Sequence, residues 1–268
     1  MQLPIVAALL CANLAFAAPG TAARRQRAAE RLAERRVSRT SNTLQPADSE
    51  FGIASKNDTA HVEYSSNWAG AVLIGSGYKT VTGSIVVPTP KTPSGGSSSK
   101  QYSASAWVGI DGDTCQTAIL QTGVDFTVQG STVSFDAWYE WYPDYAYDFS
   151  GIPIKAGDTL TFTVTSSSTA AGTAVIENTT TGKKVTHSFS GESDKLCQTN
   201  AEWIVEDYSS GGSLVSFADF GTVQFTGASV NGGTGVSGAT IIDIQQSNKV
   251  LTSCSTSGSS TVVCSYTG

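Results

Sequence analysis

Arginine is missing from nearly the whole of this chain. All seven (Arg24, Arg25, Arg27, Arg31, Arg35, Arg36 and Arg39) lie before residue 40. From Thr59 onward eight lysines face seventeen Asp and Glu, a net charge of −9. An acidic body of this kind excludes nucleic acid as a partner. Histidine is scarcer still, with only His61 and His187, and there is no Cys-x-x-Cys pair. A zinc site is therefore not expected, nor any other cofactor, and a serine triad would have to use one of two histidines that read as solvated. Neither Asp-Thr-Gly nor Asp-Ser-Gly occurs, which removes the motifs of paired-aspartate hydrolysis. After the first seventeen residues no apolar run is long enough to cross a bilayer.

What is present divides the chain in three. Residues 1–17, "MQLPIVAALLCANLAFA", form an apolar run ending in a small-x-small triplet, as a secretory signal does, although the basic start is lacking. Residues 18–58 carry all the arginines and too few large apolar side chains to fold alone, so they read as a removable basic pro-segment. Residues 59–268 read as a single domain of short β-rich runs divided by Gly, Ser, Asn and Pro clusters, with "NTTTGKKV" as a hairpin tip. Such spacing predicts an all-β antiparallel sandwich of jelly-roll or concanavalin-like type. A soluble, secreted monomer is expected, and few cations with many Ser, Thr and Gly suit work in acid.

Cys11 leaves with the signal, so Cys115, Cys197, Cys254 and Cys264 remain, an even number in an exported chain. Three pairings are open. The nine residues between Cys254 and Cys264 look like a hairpin closed by its own bridge, which leaves Cys115 with Cys197. Asn57 and Asn178 begin N-glycosylation sequons.

With nucleophiles and metals set aside, acids and amides remain. On "DAWYEWYPDY" the strand period of two puts Asp136, Trp138, Glu140 and Tyr142 on one face. On "AEWIVEDY" Glu202, Ile204, Glu206 and Tyr208 share a face, awkward for a core and suited to a cleft or a solvated surface. In "TAILQTGVDF" Gln121 stands where an acid protease would have its aspartate. A Cys115–Cys197 bridge would lie six residues before Gln121 and nine before Glu206, so the two could approach if their strands run the same way from it.

The blocks "SSNWAGAVL", "AWVGIDGDTCQTAILQTG", "AWYEWYP", "TNAEWIVEDY" and the terminal "CSYTG" resemble the fungal glutamic peptidases, or eqolisins, in order from about residue 60 to the end. The resemblance implies a secreted, pepstatin-insensitive acid endopeptidase acting on polypeptides, made with a pro-segment and folded as two large antiparallel sheets. Gln121 and Glu206 match its catalytic dyad, and Trp68, Trp107, Asp111 and Glu140 its cleft residues. Glu206 is then expected to take a proton from the attacking water and pass it to the leaving nitrogen, while the Gln121 amide donates to the oxyanion. Asp111 or Glu140 is the candidate for a second cleft acid that must stay protonated. Two other readings stand beside this one: a jelly-roll glycoside hydrolase using Glu140 and Glu206, and a lectin-like module without catalysis. The pro-segment is expected to inhibit the acidic body by charge and to leave it as carboxylates protonate.

Overall fold

The computed structural model describes residues 39–47, 62–233 and 235–268. The expected signal, most of the pro-segment, Asn57 and His61 lie outside them. Among the described residues there are nineteen strands and no helix. In chain order the first are β1 (Arg39–Thr40), β2 (Val62–Ser65), β3 (Trp68–Ile74), β4 (Thr80–Val86), β5 (Gln101–Ile110), β6 (Ile119–Gln129) and β7 (Thr132–Tyr142). Then come β8 (Tyr147–Asp148), β9 (Thr159–Ser168), β10 (Ala171–Asn178), β11 (Lys183–Ser190), β12 (Asn200–Glu206), β13 (Ser209–Ser210) and β14 (Ser213–Leu214). The last are β15 (Thr222–Val230), β16 (Thr240–Gln246), β17 (Lys249–Val250), β18 (Thr252–Ser257) and β19 (Thr261–Tyr266).

Two large sheets form the expected sandwich. One runs β11-β10-β9-β4-β15-β19-β18, the other β17-β16-β3-β12-β5-β6-β7-β8, with β2 added to β16 in parallel. In the first sheet β9 alternates strictly: Leu160, Phe162 and Val164 point into the core, and the threonines between them point outward. There Thr163 and Thr161 pair across the strands with Thr82 and Ser84 at 2.9 and 2.8 Å. The core between the sheets takes Val108, Val124, Phe126, Trp203 and Val205 from the second sheet. The indole N–H of Trp203 reaches across to the carbonyl of Thr82 at 2.8 Å, so the largest core side chain leaves no donor unpaired.

The second sheet does not alternate in burial. β5, β6 and β12 are buried along nearly their whole length, on both faces. Their outer face carries a smaller apolar cluster that includes Trp68, Trp107, Trp138 and Ile204. It also carries Ser105, Gln121, Asp125, Glu140, Glu202 and Glu206, all buried. Buried polar groups on a second face mark a covered groove, because a solvated surface would leave them wet and a core would exclude them.

Both expected disulfides are present. Cys254–Cys264 closes the β18–β19 hairpin and Cys115–Cys197 joins the approaches to β6 and β12. β6 and β12 each pair antiparallel with β5, so they run the same way from that bridge. "NTTTGKKV" is the β10–β11 hairpin. Asn178 is a correction: it is fully buried, and its amide donates to Asp158 at 2.9 Å and to the Pro153 carbonyl at 3.2 Å. Its nitrogen is occupied inside the protein and is no exposed sugar acceptor.

Candidate active site

Two rows of residues cross the groove. Ladder register aligns Glu202, Gly109, Gln121 and Glu140 on β12, β5, β6 and β7. Four residues further along lies the row Trp68, Glu206, Ser105 and Asp125. Gln121 and Glu206 thus project from the same face of one sheet, with β5 between their strands. Trp107 stands between the rows, and its indole N–H donates to Glu206 Oε2 at 2.9 Å. It has room there because its neighbours on β6 and β5 are glycines. A Cβ on Gly123 would come within 2.5 Å of the Trp107 Cβ, and one on Gly109 within 2.8 Å of its ring. Trp68 packs edge-on against it at 5.0 Å. Gln121 turns its amide N–H to Glu140 Oε2 at 3.3 Å, while its carbonyl oxygen is buried with no partner among the described residues.

The groove is filled by the chain's own residues 39–47. β1 joins a small sheet with β13 and β14. The Asn42 N–H lies 3.0 Å from Glu206 Oε1, and the Asn42 carbonyl accepts the Trp68 indole N–H at 2.9 Å. The Ser41 N–H is 3.2 Å from both Glu140 oxygens, and Thr40 Oγ1 donates to Oε1 at 3.1 Å. The guanidinium of Arg39 grips Asp125 through Nε and Nη2, both at 2.9 Å, and reaches Glu140 Oε2 through Nη1 at 3.2 Å. Its Cζ lies 3.8 Å from the centre of a Trp138 ring and 4.6 Å from that of Tyr208. This is a bidentate, aromatic-walled site shaped for a planar cation.

The buried acids titrate accordingly. Burial pushes Glu206 up to about 7, against the pull of Arg39 and of the Asn42, Ser41 and Trp107 hydrogen bonds. Burial pushes Glu140 up to about 8, with Arg39 opposing and the Glu206 charge adding. Asp207, beside the dyad candidate, is driven up to about 8, again mainly by burial.

The sequence-predicted residues Trp68, Trp107, Gln121, Glu140 and Glu206 all meet in this groove. Asp111 does not act there. Its carboxylate accepts the backbone N–H groups of Cys197, Gln198, Thr199 and Asn200 at 2.7–3.1 Å. It anchors the turn into β12, and both oxygens are already taken. Asp125, Ser105 and Arg39 are site residues that sequence reasoning passed over, whereas Trp138 joins Glu140 on the face the strand period gave it. For Asp125 a signal existed, since the strand period puts Gln121, Gly123 and Asp125 on one face. His187 is partly buried in an aromatic stack, 3.9 Å from the Tyr139 ring, rather than solvated.

The profile of the peptidase A4 family matches residues 66–266. The chain belongs to the peptidase A4 family. It is a hydrolase of peptide bonds, which sets aside the glycosidase and lectin readings. It is 52% identical to aspergillopepsin-2 of Aspergillus niger over 97% of each chain. To scytalidopepsin B of Scytalidium lignicola it is 46% identical, over 98% of this chain and 97% of that one. Among solved structures it resembles scytalido-glutamic peptidase bound to a transition-state analogue (TM-score 0.68, 47% identity, 75% of this chain and 98% of that one). It also resembles aspergilloglutamic peptidase of A. niger (TM-score 0.60, 59% identity, 62% and 99%). The A4 match begins beyond the arm that fills the groove of this peptidase.

Proposed function

We propose that this A4 peptidase is an exported acid endopeptidase whose dyad is Gln121 and Glu206. Glu206, ionised once the groove is open to water, accepts a proton from the attacking water and returns it to the leaving nitrogen. The Gln121 N–H that now reaches Glu140 turns to the developing oxyanion, and its unpartnered carbonyl oxygen orients the water. An amide suits this task because it remains a neutral donor at every working pH. The observation that carries the reading is the Asn42 N–H on Glu206 Oε1 at 3.0 Å. A stretch of polypeptide already lies in the groove with an amide nitrogen against the acid that would protonate it. The test is degradation of an unfolded protein in acid with pepstatin present. Activity is expected in the parent protein and absent from Glu206→Ala, whereas full activity in that variant would end the reading.

Residues 39–47 serve, on the same reading, as the inhibitory part of a precursor. Among the described residues Arg39 supplies the charge contact, its guanidinium held by Asp125 and Glu140. With the Ser41–Asn42 bond standing where a scissile bond would lie, the Arg39 site also admits a basic substrate side chain three residues ahead of the cut. In support, the walls of that site come from β5, β6, β7 and Tyr208, which all lie within the matched family region.

A further inference from the structure

Glu202 has no part in the chemistry above, yet it lies on the groove face of β12 four residues before Glu206. It is fully buried, and neither carboxyl oxygen has a hydrogen-bond partner among the described residues. β3 sets Val72 against it and β5 sets Gly109. Trp68, Trp107 and Ile204 supply the apolar part of the same face. The charged groups acting on it are Asp111 and Asp113, at the end of β5 and just beyond. Among the described residues no cation opposes them, and Asp111 is already saturated by backbone N–H groups. A neutral carboxyl can stay in such a place. A carboxylate there would lack a donor, a counter-charge and water.

We propose that Glu202 is a proton-dependent latch of the groove: protonated, it lets β12 pack beneath the tryptophans, and on ionising it dislodges β12 together with Glu206. Burial first, then Asp111 and Asp113, raise this carboxyl well above its ordinary value. The sign follows. A group whose folded value is raised contributes stability that is complete below its unfolded value and is lost as the pH climbs through the folded one. The latch therefore holds in acid and fails as the pH climbs through the raised value of this carboxyl. It does not depend on the assignment of Glu206 as the catalytic acid.

The test is urea unfolding of the full-length chain, followed by tryptophan fluorescence from acid to alkaline pH. A Glu206→Ala background suppresses autolysis. Persistent autolysis in that background would speak against the dyad and leave the unfolding measurement intact. Glu202→Gln and Glu202→Leu are each expected to flatten the loss of stability with pH by about one proton. Both should move the upper pH limit of the folded state upward. Leucine tests the inference without needing a new hydrogen bond, in case glutamine packs badly. Asp207→Asn is the comparison, because Asp207 is also driven up by burial and leaves one oxygen unpartnered. If either Glu202 variant folds and keeps the parent pH dependence, or if Asp207→Asn alone removes that dependence, the inference is overturned.

Discussion

At the scale of single residues, three contacts bear directly on catalysis. Gln121→Ala removes the proposed oxyanion donor and should lower kcat by 10²–10³, about 3–4 kcal/mol, with little change in KM. Steady-state kinetics on a peptide checks this. Trp107→Phe keeps the ring but deletes the N–H on Glu206 Oε2, one of the contacts that lower the Glu206 value. The acid limb of kcat/KM should then move up by about one pH unit, since the base must be ionised to work. A profile unchanged in Trp107→Phe would show that this hydrogen bond does not tune the base. Peptides with arginine three residues before the cut should be cleaved faster than the citrulline peptide, which keeps the shape and loses the charge. Equal rates for the two would remove the Arg39 site from substrate recognition.

At the scale of elements, the arm 39–47, if it serves as the proposed inhibitor, is expected to leave the groove in a pH-dependent way. Closure buries Glu206 and Glu140 and raises them to about 7 and about 8. Opening would return both to water and lower them. Their contribution to closure is therefore complete in acid and lost as the pH rises through those values. Binding of a peptide of residues 39–47 to the processed enzyme should accordingly hold in acid and weaken as the pH rises through about 7 to about 8. Tryptophan fluorescence can follow this, given Trp68, Trp107 and Trp138 in the groove. Arg39→Ala in the peptide should weaken binding about a hundredfold, near 3 kcal/mol, by leaving Asp125 buried and unpaired. Binding that is independent of pH, or that ignores Arg39, would contradict this account of closure.

The same arm shows where sequence reading stopped. The strand period alone put Trp138 with Glu140 and Glu202 with Glu206 on their faces, because alternation is a property of each strand by itself. Gln121 was legible through its block. Arg39 was seen only as one of a run of basic residues, since "RTSNTLQPA" has no periodic pattern and acquires its course from the groove that receives it. Asp111 was misread for the opposite reason: its partners are backbone N–H groups eighty-odd residues away, which no side-chain pattern announces.

Across the whole molecule, the two disulfides should contribute unequally. Cys115–Cys197 closes a separation of 82 residues and Cys254–Cys264 one of 10. In the chain-entropy picture these are worth about 4.5 and about 2.7 kcal/mol. Cys115→Ser should thus lower the midpoint of urea unfolding more than Cys254→Ser. It should also disturb activity, because that bridge lies at the start of both strands that carry Gln121 and Glu206. The sandwich itself was legible in the sequence: Leu160, Phe162 and Val164 alternate with threonines as a half-exposed sheet requires. The second sheet was less so, since its outer face is buried beneath a segment distant in sequence.

The central claim is that Gln121 and Glu206 act as one unit on one peptide bond. The measurement that tests it most directly is kcat/KM for Gln121→Ala, Glu206→Ala and the double variant on one peptide in acid. If the two residues share a transition state, the double variant will be no slower than the worse of the singles. Losses that simply multiply, or a Gln121→Ala enzyme as fast as the parent, would contradict the account.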